Sequence, residues 1–446
     1  MQAAASRLLN NRWTIALSGA TFMMTLGTIY SWSLFAQPLL ACFGWSNTTV
    51  TWAFALAIFS LGTGAVVGGR WQDRVGPRKV ALTGVLLWSL GNVLAGLGTS
   101  HFGAVWLYLT YGLIGGLGVG MGYVTPVAVV TKWFPGHRGL AGGIVVMGFG
   151  LGAVLYNFIL KSVPSFAAAA EAASSYTAQA AAHGTVHSSA LLLAQNHVLA
   201  IMNVFLYSGV AFAVIAGVSA ASLINPPDGP CDADGAGSTE AAALTTREML
   251  RMPQFYLLWL MLFFNVTAGI LVIGNAVPIM QELTSLTPAI LAATYGGVAL
   301  FNALGRFFWG AISDRIGGIR TFGLIFGIQV VVFGTLGGIH NLIAVAIAYA
   351  IVLLCFGGGF GTMPSLIAKY FGARHMGANY GAILTAWGAA GVVGPLFAAL
   401  VKDATGSYTN ALLPVAGMLL IAVLLPVIIR KPLVQTRSDP RPSRLS

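Results

Sequence analysis

The chain has 446 residues, of which 57% are hydrophobic and only 7% charged. A soluble domain carries about 25% charged residues to face water, so this composition excludes a soluble enzyme, a disordered regulator and a nucleic-acid binder together. The net charge of +11 does not argue for nucleic acid once its placement along the chain is considered, as shown below. Cys42, Cys231 and Cys355 lie too far apart for a metal knuckle and are too few for a disulfide framework. The expected class is an all-α, polytopic membrane protein.

A helix needs about 20 apolar residues to cross a bilayer, because lipid offers the backbone no hydrogen-bond partners. Twelve such runs are predicted, near residues 13–36, 50–69, 80–98, 103–130, 139–160, 198–224, 254–280, 289–312, 321–338, 341–368, 378–401 and 408–429. The first is too long for a signal peptide and shows no cleavage site, so it is expected to be retained. Lys and Arg collect on the cytoplasmic side of membrane proteins. With both termini cytoplasmic, 19 of the 22 basic residues fall inside, Lys161 and Lys402 fall outside, and Arg306 falls within a span. The positive charge is therefore a topology signal.

The loop after span 2 reads Gly69-Arg-Trp-Gln-Asp73-Arg74-Val-Gly76-Pro-Arg-Lys79, and the loop after span 8 reads Gly310-Ala-Ile-Ser-Asp314-Arg315-Ile-Gly317-Gly-Ile-Arg320. Every matching residue is displaced by the same 241 positions. A weaker echo pairs Lys132-Trp-Phe134 with Lys369-Tyr-Phe371. The chain is predicted to be two six-span halves in parallel repeat, a mark of secondary transporters. The expected division is an N-terminal half over 1–224, a cytoplasmic linker over 225–252, a C-terminal half over 253–430 and a basic cytoplasmic tail over 431–446. The positive-inside rule explains the repeated Arg and Lys but not the repeated Asp and Gly. Gly permits a tight turn, and an Asp there can cap a helix end or hold an Arg across the cytoplasmic mouth. Gly69, Asp73, Arg74, Gly76, Gly310, Asp314, Arg315 and Gly317 are read as a conformational latch.

Residues 225–252 are polar, acidic and turn-rich, as a linker is. The Ala- and Ser-rich segment 162–197, with His183, His187 and His197, is expected to be a solvated outer loop; without a third ligand, His183 and His187 do not make a metal site. Gly112, Gly116 and Gly120, Gly148 and Gly152, and Gly357 and Gly361 recur every four residues, the spacing of close helix packing in lipid. No Gly-Lys-Ser/Thr loop follows a strand, so an ATP-driven pump is not expected.

Arg306 is eight residues before Asp314, which at about 1.5 Å per residue sets it about 12 Å inside the loop level. A buried, unpaired cation costs several kcal/mol, and none of the eleven acidic residues, nor any histidine, lies at mid-span. The simplest resolution is a water-filled cavity in which the counter-ion is an anionic substrate, held by the two-pronged guanidinium. The competing reading is an arginine snorkelling to the cytoplasmic surface. Asn302, one turn earlier, shares the face of Arg306 and is placed to donate to the same anion. One fixed cation neutralises one carboxylate.

The twelve spans, the duplicated Gly-xxx-Asp-Arg-x-Gly loop and the span-8 arginine resemble the major facilitator superfamily. Tyr30-Ser-Trp-Ser-Leu-Phe, Lys132-Trp-Phe-Pro-Gly-His-Arg-Gly-Leu, Met249-Leu-Arg-Met-Pro-Gln-Phe and Asn379-Tyr-Gly resemble its oxalate/formate antiporter branch, related to the monocarboxylate transporters. The resemblance implies a central cavity lined by spans 1, 4, 5, 8, 10 and 11, with Tyr30, Tyr123, Phe149, Asn302, Arg306, Phe356 and Phe360 as an aromatic box around one arginine. Taken alone, each of these aromatics reads as packing or an interfacial anchor. At the position where the oxalate transporter carries a second cation, a lysine in span 11, this chain has Trp387. Where the animal proton-coupled monocarboxylate transporters carry an aspartate one turn before the arginine, this chain has Asn302.

The reading that follows is a monomeric inner-membrane carrier of pyruvate, lactate, formate or a similar monocarboxylate. It works by alternating access, with no covalent chemistry, cofactor or metal, and a proton or a counter-anion is the candidate co-substrate. The alternatives are an oxalate:formate-type dicarboxylate exchanger, a drug exporter, and a sensor that binds the anion without moving it.

Overall fold

The computed structural model describes residues 11–183, 196–226 and 243–430. The expected linker residues 227–242, the tail 431–446 and His187 lie outside the described residues. Span 1 is α1 (Arg12–Gly27) and α2 (Trp32–Phe43), separated by a 3-10 turn over Thr28–Ser31. Span 2 is α3 (Asn47–Val75). Spans 3 and 4 run together as α4 (Pro77–Leu107), a π-helical stretch over Tyr108–Gly115, and α5 (Gly116–Trp133). Span 5 is α6 (Arg138–Ser162); α7 (Pro164–His183) follows it, and span 6 is α8 (Val198–Ala221).

A single turn, α9 (Thr246–Met249), leads into the second half. Span 7 is α10 (Pro253–Gly274) with α11 (Ala276–Thr284), and span 8 is α12 (Pro288–Val298) with α13 (Leu300–Ile316). Spans 9 and 10 are α14 (Gly318–Leu336) and α15 (Leu342–Phe371). Span 11 is α16 (Met376–Ile383) with α17 (Thr385–Thr405), and span 12 is α18 (Leu412–Ala422) with α19 (Leu425–Ile428).

Ten helical segments among the described residues are long and apolar enough to cross a membrane. One of them, Pro77–Trp133, has 57 residues, about 86 Å of helix, far beyond the roughly 30 Å of a hydrocarbon core. It is two spans that part at Gly103, whose φ of 70° and ψ of −157° are non-helical. Span 1 is divided by its 3-10 turn and makes the other addition, so the expected twelve are accounted for.

The repeated loops turn where their sequence requires it. Gly76 and Gly317 have φ of 88° and 90°, a region that only glycine adopts cheaply. Pro77 then opens α4, where its missing N–H costs nothing. The four-residue glycine spacing also does what it predicts. A Cβ on Gly116 or Gly120 would strike the carbonyls of Ala57 or Leu61 in span 2, and one on Gly148 or Gly152 those of Ala20 or Met24 in span 1. Gly357 and Gly361 bring span 10 against the carbonyls of Asn302 and Arg306.

One expectation is corrected. Within segment 162–197, expected to be a solvated loop, residues 164–183 form the helix α7, with Phe166, Ala169, Ala172 and Ala173 buried and Phe166 packed on Phe35 of α2 at 5.4 Å. The Ala content that reads as low complexity is also high helix propensity, and a neighbouring apolar surface is enough to hold the helix.

The halves meet through span 2 against span 11 and span 5 against span 8. Gly69 sits on Gly377, Gly62 on Gly388, Gly310 on Gly139, and Gly143 on the carbonyl of Arg306. Gly139, Gly143 and Gly150 stand to Gly377, Gly381 and Gly388 at a constant displacement of 238 residues, so the two seams are copies of one another.

Candidate functional site

Arg306 is fully buried on α13, and Asn302 lies one turn before it at 8% exposure. The arginine does not snorkel. Its guanidinium lies between two rings, 5.2 Å from Phe149 and 4.9 Å from Phe360. Nε donates to Asn302 Oδ1 at 3.4 Å and Nη1 to the Val146 carbonyl at 3.3 Å, while Nη2 has no partner. Both hydrogen bonds are long, and among the described residues no carboxylate pairs with this cation. The expected water-filled cavity is instead a closed, aromatic-walled site. Asn302 presents its carbonyl oxygen to the arginine, so it orients Arg306 rather than donating from that atom to the anion.

The remaining expected residues gather around the same point. Trp387 is the hub, with ring centroids 4.7 Å from Phe360, 5.0 Å from Tyr123, 5.6 Å from Phe149 and 6.0 Å from Tyr30. Tyr30 also meets Phe149 edge to face at 5.3 Å. Phe356 stands one layer back, against Phe360 at 5.5 Å and the backbone of Gly269. It supports the wall and does not line the site.

Tyr380, which sequence reasoning missed, completes the group; its ring lies 6.4 Å from Tyr123. Its signal was present in the Asn379-Tyr-Gly string, but nothing there says which way the ring turns.

The Tyr30 hydroxyl faces Trp387 and Arg306, the Tyr123 hydroxyl faces Arg306, and those of Tyr123 and Tyr380 face each other. None of these approaches is a hydrogen bond of good geometry. The Tyr30, Tyr123 and Tyr380 hydroxyls, Trp387 Nε1 and Arg306 Nη2 are all buried and unpartnered. A buried donor left unpaired costs about 1–3 kcal/mol, so five in one place, one of them charged, would be stabilised by an acceptor-rich group. A small carboxylate has two oxygens with about four lone-pair sites between them. The walls exclude water and strengthen any charge-assisted bond inside.

The duplicated loop forms two matching contacts on one side of the site. Asp73 accepts from the backbone N–H of Gly377 at 3.2 Å and of Ala378 at 2.8 Å, at the start of α16 in the opposite half. Asp314 accepts from Gly139 N at 2.8 Å and Leu140 N at 2.7 Å, at the start of α6. Each carboxylate thus caps the positive end of a helix across the seam. Gly69 and Gly310 allow the backbones to approach, while Arg74 and Arg315 are exposed and take no part in these contacts. Of the two ways an Asp could act here, capping is the one realised.

The Major Facilitator Superfamily model matches residues 17–170, 188–395 and 260–444. The chain is 29% identical over 396 residues to the oxalate:formate antiporter of Oxalobacter formigenes, covering 87% of this chain and 84% of that one. It is 26% identical over 370 residues to apicoplast pyruvate carrier 1 of Toxoplasma gondii, covering 74% and 66%. Its fold is similar to that of the Escherichia coli fucose:proton symporter, with a TM-score of 0.65 at 15% identity over 93% of this chain and 97% of that one.

Proposed function

This chain belongs to the Major Facilitator Superfamily, and we propose that it is a multi-pass carrier of a small monocarboxylate of the pyruvate, lactate or formate kind. The observation that carries the reading is the buried, carboxylate-free Arg306 with its free Nη2, ringed by four more unpartnered donors. A single cation in a dry box neutralises one negative charge and leaves a second one desolvated. The naming of relatives after oxalate, formate and pyruvate supports the same ligand class. In this reading the carrier resides in the inner membrane with both termini cytoplasmic and works as a monomer. The halves 1–224 and 253–430, joined by the linker 225–252 and followed by the tail 431–446, rock against each other, and the Asp73 and Asp314 contacts hold the cytoplasmic side shut.

The second reading, an oxalate:formate-type exchanger, is favoured by the Oxalobacter relative; Trp387 at the hub of the site argues against a dianion. Counterflow in proteoliposomes separates the two. Labelled pyruvate should enter vesicles loaded with unlabelled pyruvate and be competed by lactate and formate but not by oxalate. Competition by oxalate favours the exchanger, and an absence of counterflow with every carboxylate rejects both.

A further inference from the structure

Five consecutive residues of α16 each make a contact outside their own helix. Gly377 and Ala378 donate their backbone N–H groups to Asp73. Asn379, fully buried, accepts from the Thr246 hydroxyl at 2.9 Å and donates to the Leu244 carbonyl at 3.0 Å, holding the end of the inter-half linker. Leu244 N in turn donates to the Phe371 carbonyl at 3.0 Å. Tyr380 enters the site with a buried, unpartnered hydroxyl facing Tyr123, within the field of Arg306. Gly381 lies against the carbonyl of Ala65 in span 2.

The two stretches α16 and α17 make one span. Leu384 between them keeps right-handed helical dihedrals, its N–H donates to the Tyr380 carbonyl at 3.0 Å, and the Gly388 N–H donates to the Leu384 carbonyl at 3.3 Å. Further along, Thr385 is held by the Trp259 indole at 2.8 Å. Asp73 thus holds the first turn of span 11, and Tyr380 enters the site about one turn further along the same hydrogen-bonded helix.

We infer that Tyr380 is the residue through which an occupied site releases the Asp73 latch, a role that rests on the carboxylate-binding reading above. The carboxylate takes up the Tyr380 hydroxyl, which is buried and makes no hydrogen bond of good geometry. That bond exists only when ligand is present, and it draws on the same helix whose first turn Asp73 holds. Ligand binding and latch opening are then two demands on one element, which is the requirement for coupling between distinct sites. Tyr30 and Tyr123 bind the same ligand from spans 1 and 4, so they carry affinity without this leverage.

The test uses the full chain with its native cysteines replaced by serine and one reporter, Ala378→Cys, in proteoliposomes. Ala378 contributes only its backbone to the latch and is buried beside Asp73, so thiol alkylation by a maleimide reads latch opening. Saturating pyruvate is expected to raise the alkylation rate about fivefold or more. Tyr380→Phe should weaken pyruvate binding about tenfold and, at saturating pyruvate, abolish that acceleration. Tyr123→Phe should lose affinity to a similar degree and keep it. Asn379→Ala, which frees α16 from the linker and leaves every donor in the site, should keep the affinity and show a smaller acceleration; this variant serves if Tyr380→Phe does not insert. Undiminished acceleration in Tyr380→Phe, or its equal loss in Tyr123→Phe, overturns the assignment. Pyruvate counterflow with alkylation indifferent to pyruvate in the parent overturns the coupling alone, whereas neither counterflow nor an alkylation response to any carboxylate overturns the transport reading with it.

Discussion

The proposed anion site rests on Arg306 because its charge cannot be removed: guanidinium stays protonated at any physiological pH. Two stacked rings and a backbone carbonyl hold it in place without neutralising it. Arg306→Gln is therefore expected to lower transport by about 100-fold or more, the cost of removing one partner of a buried charged pair, while leaving membrane insertion intact; uptake near the parent rate would remove the anion site. Trp387→Lys places a second cation at the hub of the box. Competition assays should then show dicarboxylates displacing pyruvate where they did not before, and an unchanged profile would take Trp387 out of the specificity argument. Much of this was legible beforehand. An intramembrane arginine with no acidic partner in the sequence is visible by counting. The resemblance gathered Tyr30, Tyr123, Phe149, Phe360 and Trp387, which scattered aromatics alone would not suggest. Tyr380 escaped because a ring's direction depends on the rotation of its helix, and Phe356 was included although it faces away by one layer.

Among the elements, helix contact is set by glycine. Gly361 lets span 10 lie on the Arg306 carbonyl, so Gly361→Ala forces backbone against backbone behind the binding residue. We expect it to destabilise the protein by about 1–3 kcal/mol, measured as a lower unfolding midpoint in detergent, and to raise the KM for pyruvate through displacement of α13. The latch has a similar logic. Asp73→Asn retains an oxygen for one N–H but loses the charge that favours a helix start, about 0.3–1 kcal/mol. Alkylation of the Ala378→Cys thiol should then rise in the absence of substrate, and an unchanged rate would show that the Asp73 contact does not hold this side closed. The loop sequence revealed that Asp and Gly were repeated for a purpose. It left open whether an Arg or a helix end was the partner, because the partners lie 304 residues from Asp73 and 175 from Asp314 in the chain. The α7 segment was misjudged for a related reason: weak amphipathy on an Ala-rich stretch becomes a helix only against the surface that buries Phe166.

At the scale of the molecule, the two halves are copies in their seams and unlike at their centre. At the displacement of 241 residues Arg306 corresponds to Ala65, and at 238 residues Trp387 corresponds to Phe149. The scaffold is doubled, and one substituted position supplies charge, so the buried cation lies off the symmetry of the fold. Away from the seam, an ion pair joins Glu282 to Lys402 at 2.9 Å. Lys402 is one of only two basic residues expected outside, and this partner accounts for its exception to the charge rule. Burial pushes the Glu282 carboxyl up, but hydrogen bonds from Ser407, Lys402 and the Thr409 and Tyr408 backbones prevail and bring it down to about 2 from 4.5. A depressed pKa contributes stability in full above the unfolded value and loses it as pH falls toward the folded one. Glu282→Gln should therefore cost about 1 kcal/mol or less at pH 7, given the partial exposure of the pair. Its unfolding midpoint should converge on that of the parent between pH 4.5 and 2; a difference that persists at the acid end would contradict the assignment.

Composition, charge placement and the displaced loop determined by themselves that this is a twelve-span, two-half membrane carrier, because a bilayer admits so few solutions for a chain this apolar that counting runs and basic residues is nearly sufficient. They also isolated Arg306, since an uncompensated charge in lipid is costly wherever the helices pack. Only the tertiary structure decided that the arginine is enclosed rather than bathed in water, that the Asp residues cap helices of the opposite half, and that Tyr380 lies about one turn from the Asp73 contact on the same helix. Each of these depends on groups brought together from distant parts of the chain, and on which way a side chain turns once its helix is packed; local sequence encodes the period of a helix and not its rotation against a neighbour.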